Sequence, residues 1–335
     1  MKKILVVCAA LLLSFSLVLA QEADDTGAGV GLSVIPRLDL SPEFYNDGSG
    51  SQFTLGNSSI YTLFEGNISE NLSFSVANHW AGFYDVSGDV LADTKDLYAN
   101  TLKRDANWLD WAYLAWNTGN WTFTFGKDAI TTGGWEFDDY DYDVYPVLSS
   151  NLWNNFSTYH WGLKAGYSPV EDNEITLQVT TAPGVDGLFE APLFSYSLGW
   201  LGNVGGIETK WSWTALDGFL GNQGTFWNIL ALGQKYQAGD FLLTLDLFSQ
   251  MYPSDYNIPA RITAMPSVLW SLSDSLEFFL KGGIEKFGDD TDFFGGAAVQ
   301  WYPLENLRLH AVAGYNTEWE CASLTLGAIW YINIL

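Results

Sequence analysis

The spacing of the apolar residues is the feature that most constrains how this chain folds. Hydrophobic residues make up 48% of its 335 residues and charged residues 16%. After residue 20, however, no apolar run approaches the roughly 18 to 20 residues that a membrane-spanning helix needs. Apolar and polar residues instead alternate over short segments, which is the pattern of a β-strand with one apolar and one polar face. The alternation predicts an all-β protein whose hydrophobic surface is spread over many strands.

The first 20 residues have the pattern of a secretory signal peptide. Two lysines precede an apolar segment, and small residues stand just before Gln21, where cleavage is expected. We therefore predict a cleaved peptide, residues 1–20, and a single barrel domain, residues 21–335. A single membrane-spanning helix is the alternative interpretation of the same segment. A lipid anchor on Cys8 is disfavoured because no small residue precedes this cysteine.

Loss of the peptide has two consequences. Without Lys2 and Lys3 the net charge goes from -25 to -27, and so acidic a protein repels nucleic acid. Without Cys8 only Cys321 is left, which excludes an internal disulfide. An exported chain with 16% aromatic residues and 33 glycines, but without disulfides or long apolar runs, has the composition of a transmembrane β-barrel.

About sixteen alternating segments can be counted along the chain. Each is close to the roughly 9 to 11 residues that a tilted membrane strand requires. Short turns alternate with longer loops, the difference expected between the periplasmic and outer ends of a barrel. The final strand is predicted to run from Ala322 to Ile334, and a longer connection is predicted between Glu285 and Phe293. The fold class predicted is a transmembrane antiparallel β-barrel.

Two further patterns favour a membrane barrel over a soluble sandwich or propeller, which the alternation alone would also fit. Large aromatic residues stand beside the short turns or the chain end, as in an interfacial girdle. They are Trp116, Trp121, Tyr167, Trp200, Tyr236, Trp270, Trp301 and Trp330. The scarce bases take the polar side of their strands, because a base facing lipid costs about 2 to 4 kcal/mol. They are Arg37, Lys164, Lys210, Arg261, Lys281 and Arg308.

The stretch from Trp108 to Tyr145 carries the strongest local signals. It begins with a hairpin that turns at residues 117–120 and continues into a loop where the alternation stops. The loop sets acidic residues among aromatic ones and is the third loop on the outer side. Its acidic residues are Glu136, Asp138, Asp139, Asp141 and Asp143.

This stretch resembles the outer-membrane porins of Gram-negative bacteria. The resemblance is carried by AYLAWNTGNWTFTFGKD, GGWEFDDYDYDVY and the earlier ISENLSFSVANHW. The portion GKD followed by GGWEFD is most similar to the porin O/P (phosphate-selective porin) group. The resemblance covers residues 58–167, and elsewhere it concerns architecture only.

The resemblance implies a passive diffusion channel for small hydrophilic solutes in the lipid of the bacterial outer membrane. It implies that the third outer loop folds into the barrel and narrows it, with the five acidic residues above facing bases on the wall. It assigns Lys127 and the six bases of the polar strand faces to that wall, all lumen-facing. A homotrimer is the assembly to test, and no nucleic acid partner is expected.

The sequence departs from the phosphate-selective group in two ways. The chain has 14 Lys and Arg against 39 Asp and Glu, so selectivity for phosphate does not carry over. We expect a channel that favours cations or neutral solutes. Porins also usually end in an aromatic residue, whereas this chain ends in Ile334 and Leu335.

Other interpretations of the acidic loop stay open. Asp139, Asp141 and Asp143 alternate as at the start of an EF-hand loop, but Val144 stands where Gly is needed and Ser150 where Glu is needed. An EF-hand is therefore excluded. A looser Ca²⁺ site and a merely solvated loop are the alternatives to a constriction.

Two other function classes are alternatives to a channel. His79, His160 and His310 lie on separate strands without a local catalytic or metal motif, so no catalytic residue, metal site or cofactor is predicted, and a barrel phospholipase or protease is the enzymatic alternative. A surface adhesin or structural barrel with a closed lumen is the second alternative. Glycines on the polar strand faces favour an open interior instead. They are Gly162, Gly166, Gly206, Gly283, Gly296 and Gly314.

Overall fold

The computed structural model describes residues 29–46, 50–55, 58–83, 109–138, 143–183 and 193–335. The predicted signal peptide lies outside these ranges, as do Asp139 and Asp141 of the acidic loop. No helix within them is long and apolar enough to cross a membrane.

The described residues form a closed antiparallel β-barrel of sixteen strands, to which two short strands, β2 and β18, add at β1. The strands are β1 (Val30–Tyr45), β2 (Gly50–Thr54), β3 (Ser58–Ser69), β4 (Leu72–Phe83), β5 (Leu109–Thr118), β6 (Trp121–Ala129), β7 (Tyr159–Val170), β8 (Asn173–Thr181) and β9 (Phe194–Val204). They continue with β10 (Ile207–Leu216), β11 (Trp227–Ala238), β12 (Phe241–Met251), β13 (Arg261–Ser273), β14 (Leu276–Phe287), β15 (Asp290–Leu304), β16 (Leu307–Asn316), β17 (Cys321–Trp330) and β18 (Ile332–Asn333). The predicted all-β barrel is confirmed.

The barrel closes at β1, which has different neighbours along its two halves. Its first half pairs with β3, where Val34 lies opposite Thr62, and its second half pairs with β17, where Leu40 lies opposite Leu326. The short strand β2 continues the sheet beside the second half. Because every barrel strand has two hydrogen-bonded neighbours, the sheet has no free edge, as a membrane barrel requires.

The outward and inward faces follow the alternation of the sequence. Leu163 and Leu177 are both 59% exposed on the outside. The residues that alternate with them in β7 and β8 face inward and are glycine or polar residues. Six of the eight predicted girdle residues are exposed, and Tyr167 and Trp200 are half-buried. All eight lie beside the short turns or at the end of β17, so they form one level of the barrel.

Two predicted boundaries were wrong. The connection between β14 and β15 contains only Gly288 and Asp289, and Gly288 takes the positive φ of 63° that a tight turn of this kind needs. The last barrel strand ends at Trp330 and not at Ile334. The amide of Tyr331 donates to the carbonyl of Asn306, and the chain then leaves β16 to pair with β1 through β18.

Part of the barrel interior is packed with side chains. Inward-facing residues of β1, β3, β4, β5 and β17 form one apolar cluster: Ile35, Tyr61, Ala77, Trp111 and Ile329. A second cluster joins the loop 130–158 to the wall of β10 to β15: Ile130, Leu152, Phe156, Leu216, Ile229, Ala231, Phe248, Met265 and Phe294. The loop is thus fixed to one side of the interior.

Single cysteines placed on the two faces should react with different reagents. At Leu163, Leu177, Leu245 and Leu326, which are 39% to 59% exposed on the outside, only a lipophilic thiol reagent is expected to react in membranes. At Thr176, Thr244 and Thr325 a membrane-impermeant reagent should react, because alternation turns these residues inward. Labelling both sets equally with the impermeant reagent would contradict the assignment of faces. The natural Cys321 is replaced by Ser in all variants, so that each protein carries only the introduced cysteine.

Candidate functional site

The loop 130–158, which follows β6, lies against the inner wall of the barrel from its first residues. The amide of Gly133 donates to Ser212 Oγ at 2.6 Å and the amide of Gly134 to the carbonyl of Lys210 at 2.9 Å. Thr214 Oγ1 donates to the carbonyl of Thr131 at 2.9 Å. The first part of the loop is therefore hydrogen-bonded to the inward face of β10.

Glycine permits this close approach on both sides. A Cβ on Gly133 would lie 2.7 Å from the carbonyl oxygen of Ala231, and Gly134 has a φ of 89°. On the wall, a Cβ on Gly233 would lie 2.8 Å from the Cα of Gly134. The loop backbone and the strand backbone are thus in contact without intervening side chains.

At two of the six glycines that were predicted to leave the interior open, other groups occupy the space. The space above Gly314 is taken by Val147 and Leu148 of the loop, and the space above Gly283 by the ring of Phe294. Gly206 belongs to the turn between β9 and β10, with a φ of 87°. At Gly314 and Gly283 the small wall residue therefore accommodates another group instead of widening the interior.

Asp246 of β12 fixes the next part of the loop. Its Oδ1 accepts from the amide of Trp135 and its Oδ2 from the amide of Glu136, both at 2.9 Å. Asp246 is 2% exposed. Two charge-assisted hydrogen bonds to consecutive amides hold the loop backbone against the wall at this point.

Glu136 meets a wall base and a second part of its own loop. Lys281 Nζ donates to Glu136 Oε1 at 2.8 Å, and the two side chains are 9% and 2% exposed. Ser150 donates its amide to Oε1 at 2.9 Å and its hydroxyl to Oε2 at 2.5 Å. The buried carboxylate therefore ties the loop to β14 and also ties its two arms together.

The other two described acidic residues of the loop also meet a base. Asp138 forms an ion pair with Lys210 of β10. Asp143 lies 2.7 Å from Arg308 Nη2 of β16 and accepts from the Tyr331 hydroxyl at 3.3 Å. Glu136, Asp138 and Asp143 thus each face a different strand, which brings negative loop residues and positive wall residues together across the interior.

Tyr145 lies at the side of the loop that faces β1 and β16. Arg37 Nη1 donates to the carbonyl of Val144 at 3.0 Å, and the Arg37 guanidinium lies 5.5 Å from the Tyr145 ring. Arg37 also pairs with Asp39 at 2.7 Å, and His310 contacts the same carboxylate at 2.9 Å. Burial raises the pKa of the Tyr145 hydroxyl to about 12.

A short helix, α1 (Asn151–Asn155), completes the loop. Ser150 caps it by accepting from the amide of Trp153, and the amide of Asn151 donates to Glu285 of β14 at 3.1 Å. Leu152 is 2% exposed and belongs to the apolar cluster on the wall. The helix end is therefore attached to the wall by both apolar and polar contacts.

A cavity of about 360 Å³, which we call the loop cavity, lies between the loop and the wall of β11 to β16. Five carboxylates and three bases line it. The carboxylates belong to Glu136, Asp138, Asp143, Asp246 and Glu277, and the bases to Lys235, Lys281 and Arg308. The carboxylates outnumber the bases, so the cavity has an excess of negative charge.

The remaining predicted wall bases lie away from this loop cavity. Lys164 pairs with Asp128 of β6, and Arg261 lies 3.4 Å from Glu318 and 3.9 Å from Glu285. Lys127, which was predicted to face the lumen, lies at the wall of β5 and β6. The Lys127 side chain is 3% exposed, and its Nζ donates to the carbonyl of Leu109.

Asp246 and Lys235 contribute to the site and were not predicted. Asp246 was missed because an acid on the polar face of a strand carries no local sign that it binds a distant loop. Lys235 was missed although it lies on the polar face of β11, and its Nζ is 3.6 Å from the centroid of the Trp135 ring. The available signal was its position next to Tyr236, because alternation turns Lys235 inward when Tyr236 faces outward. Among the described residues, no group of three His, Cys, Asp or Glu side chains is arranged to hold a metal ion.

Comparison with known proteins gives matches by structure only. No protein-family model matches the chain, and no curated protein matches it. The anion-selective porin of Comamonas acidovorans matches with a TM-score of 0.66 and 10% identity, over 91% of this chain and 100% of that one. OmpT, an outer membrane protein of Vibrio cholerae, matches with a TM-score of 0.60 and 12% identity, over 92% and 99%.

A mutant of the Rh. blastica porin also matches, with a TM-score of 0.54 and 11% identity over 91% of this chain and 100% of that one. At such identities the shared property is the fold. The chain therefore has the sixteen-stranded antiparallel barrel fold of bacterial outer-membrane porins.

Proposed function

We propose that this protein is a passive channel of the bacterial outer membrane for small hydrophilic solutes, with a preference for cations or neutral compounds. The observation that carries the proposal is the contact of Glu136, Asp138 and Asp143 of the inner loop with Lys281, Lys210 and Arg308 of three different wall strands. A solvated outer loop would not make such contacts.

The preference for cations follows from the charges of the loop cavity. Its carboxylates outnumber its bases, and the whole chain carries a net charge of -25. A low-dielectric wall focuses this field, which concentrates cations and repels anions. The proposed channel does not have phosphate selectivity of the porin O/P kind. We also propose that the protein assembles as a homotrimer and that residues 1–20 are cleaved as a signal peptide.

Neutralising the loop acids should reduce or reverse the cation preference. The variant replaces Asp138, Asp139, Asp141 and Asp143 by Asn, which preserves side-chain volume and removes four charges. One charge pair at 4 Å is worth about 4 kcal/mol at an effective dielectric of 20, so the loss should shift the reversal potential in a salt gradient. The shift should persist at 1 M salt, where the Debye length is about 3 Å.

The control carries the same charge change on the protein surface. It replaces Asp172, Asp240, Asp274 and Asp289, which are exposed, by Asn. The control should alter the reversal potential at low salt only, because surface potentials are screened. If the loop variant and the control behave alike at 1 M salt, the loop does not set selectivity.

A closed surface barrel is the second candidate, and one observation favours it. The loop forms an apolar cluster with the wall, and Leu152, Phe156 and Phe248 fill interior space there. Steady single-channel conductance of the purified protein in a planar bilayer supports the channel. Electrical silence of correctly folded protein supports the closed barrel.

A further inference from the structure

A second cavity lies on the other side of Tyr145 from the loop cavity. It has a volume of about 320 Å³ and lies where β1 meets β2 and β17, so we call it the seam pocket. Tyr145 lines both cavities and separates them. Its polar lining includes Ser41, Glu43, Tyr45, Gln52, Ser323 and Thr325.

The seam pocket is blind. Its floor is the ion pair of Arg37 and Asp39, which are 3% and 1% exposed. Beneath this floor, Ile35 is 3% exposed and Ile329 is 0% exposed. At the other end Trp319, which is 37% exposed, lies at the loop side of the barrel. A pocket that opens to the loops and ends on a buried floor is suited to holding a solute and not to conducting it.

The charges of the seam pocket exclude an anionic ligand. Arg37 directs Nε and Nη2 to Asp39 at 3.0 and 2.7 Å and Nη1 to the carbonyl of Val144 at 3.0 Å. Its positive charge is therefore already paired. An anion would instead meet the carboxylate of Glu43 and would be repelled by it.

Three residues of the seam pocket hold one another in a fixed arrangement. Glu43 Oε2 accepts from the Tyr45 hydroxyl at 2.6 Å and from Gln52 Nε2 at 2.8 Å, and Gln52 Nε2 also lies 2.9 Å from the Tyr45 oxygen. Glu43 Oε1 has a long contact of 3.4 Å with Thr54. This arrangement presents carboxylate and amide acceptors to the cavity without further ordering, which lowers the cost of binding.

The rest of the lining combines hydroxyl groups with apolar surface. Ser41 and Thr325 share a hydrogen bond of 2.8 Å, and Ser323 lies in register with Glu43 across the strand pair. Opposite them lie Tyr145 and Val147 of the loop. Pockets of roughly 300 Å³ and more, with apolar walls and a few fixed polar groups, are the usual form of small-molecule sites.

We propose that the seam pocket binds a small uncharged polyol of the size of a monosaccharide. Such a solute carries hydroxyl donors for Glu43 and Gln52, and its C–H face can lie on the rings of Tyr145 and Trp319. The pocket opens at the loop side of the barrel, so a bound solute would lie at the entrance of the barrel interior. The inference concerns binding and does not require that the barrel conducts ions.

A cysteine in the pocket should be protected by sugar. In a Cys321→Ser background the change Ser323→Cys places the thiol in the pocket, and Ser267→Cys places a matched thiol in the loop cavity. The refolded proteins in detergent are treated with methyl methanethiosulfonate, which is small and uncharged, with increasing D-glucose. We expect a saturable, several-fold slowing of the reaction at position 323 and no change at position 267.

Further arms of the experiment define the ligand class. Adding Glu43→Gln to the Ser323→Cys protein should weaken the protection by glucose, measured as the ratio of the rates with and without glucose within the same variant. Ethylammonium should not protect. The proposal is overturned by equal rates with and without glucose, by equal slowing at both positions, or by protection with ethylammonium alone, which would indicate a cation site. This experiment measures no current, so its result does not depend on the proposed channel. If position 323 is protected by glucose and the barrel is electrically silent in a planar bilayer, the channel is disproved and the pocket is not.

Discussion

Replacing Glu136 by Gln is expected to detach the inner loop 130–158 from the barrel wall. The Lys281 ammonium lies 2.8 Å from the Glu136 carboxylate, and both side chains are almost fully buried. The change leaves this ammonium buried without its partner, which typically costs about 3 to 5 kcal/mol. The barrel strands have their own hydrogen-bonded neighbours and should stay folded, so the cost falls on loop docking.

Hydrogen exchange measured by mass spectrometry can detect the detachment. The amide of Ser150 donates to Glu136 and should lose protection. Since each 1.4 kcal/mol is about a tenfold change, exchange of loop amides should accelerate by roughly two to nearly four orders of magnitude. Peptides from β8 and β9 serve as the internal reference, because their amides belong to the barrel wall.

A double change separates the buried charge from the lost hydrogen bonds. Adding Lys281→Met to Glu136→Gln removes the unpaired ammonium, while Gln can still accept from Ser150. Most of the protection should return, because replacing both members of a buried ion pair is often close to neutral. Unchanged exchange in the single variant, or equally fast exchange in both variants, would show that this ion pair does not hold the loop.

Replacing Gly233 by Ala should push the inner loop away from the wall. The new methyl group would lie 2.8 Å from the Cα of Gly134 and 2.9 Å from Oδ1 of Asp246. Neither can retreat cheaply, because Gly134 and Trp135 are hydrogen-bonded to the wall. Overpacking of this kind costs about 1 to 3 kcal/mol. The loop should move into the interior, so the single-channel conductance of a conducting barrel is expected to fall.

The matched control is Gly282→Ala on the outer side of β14. A methyl group there meets only the carbonyl oxygen of Phe294, at 3.9 Å. This variant should keep the wild-type conductance and the wild-type exchange of loop amides. If both alanine variants lower the conductance equally, contact between the wall glycine and the loop is not the cause.

Alternation was sufficient to predict the barrel because it is a local property of each strand. Successive side chains point to opposite faces, so the apolar face of a segment such as β8 can be read without knowing its neighbours. The same rule shows why the end of β17 was misplaced. Alternation continues past Trp330, but the strand ends where the amide of Tyr331 bonds to Asn306 and residues 332–333 pair with β1.

The surroundings of Lys127 could not be predicted from the sequence. Phe123 and Phe125 precede it at two-residue intervals, so alternation alone would expose it, yet Lys127 is 3% exposed. Its amino group lies at the Leu109 carbonyl, a contact that only the tertiary structure shows.

The contacts of the wall glycines could not have been predicted from the sequence either. Glycine on a polar face is compatible with empty space and with close backbone contact, and only the path of the loop shows that Gly314 is covered by Val147 and Leu148.

The sequence by itself determined that this chain is a membrane barrel with an acidic third loop, because strand period, aromatic position and loop composition are each legible along a few residues. Only the tertiary structure decided which base each acid meets. Glu136 and Lys281 are 145 residues apart, and Asp138 and Lys210 are 72 residues apart. Their pairing depends on strand register around the closed barrel and on where glycines let the loop approach the wall.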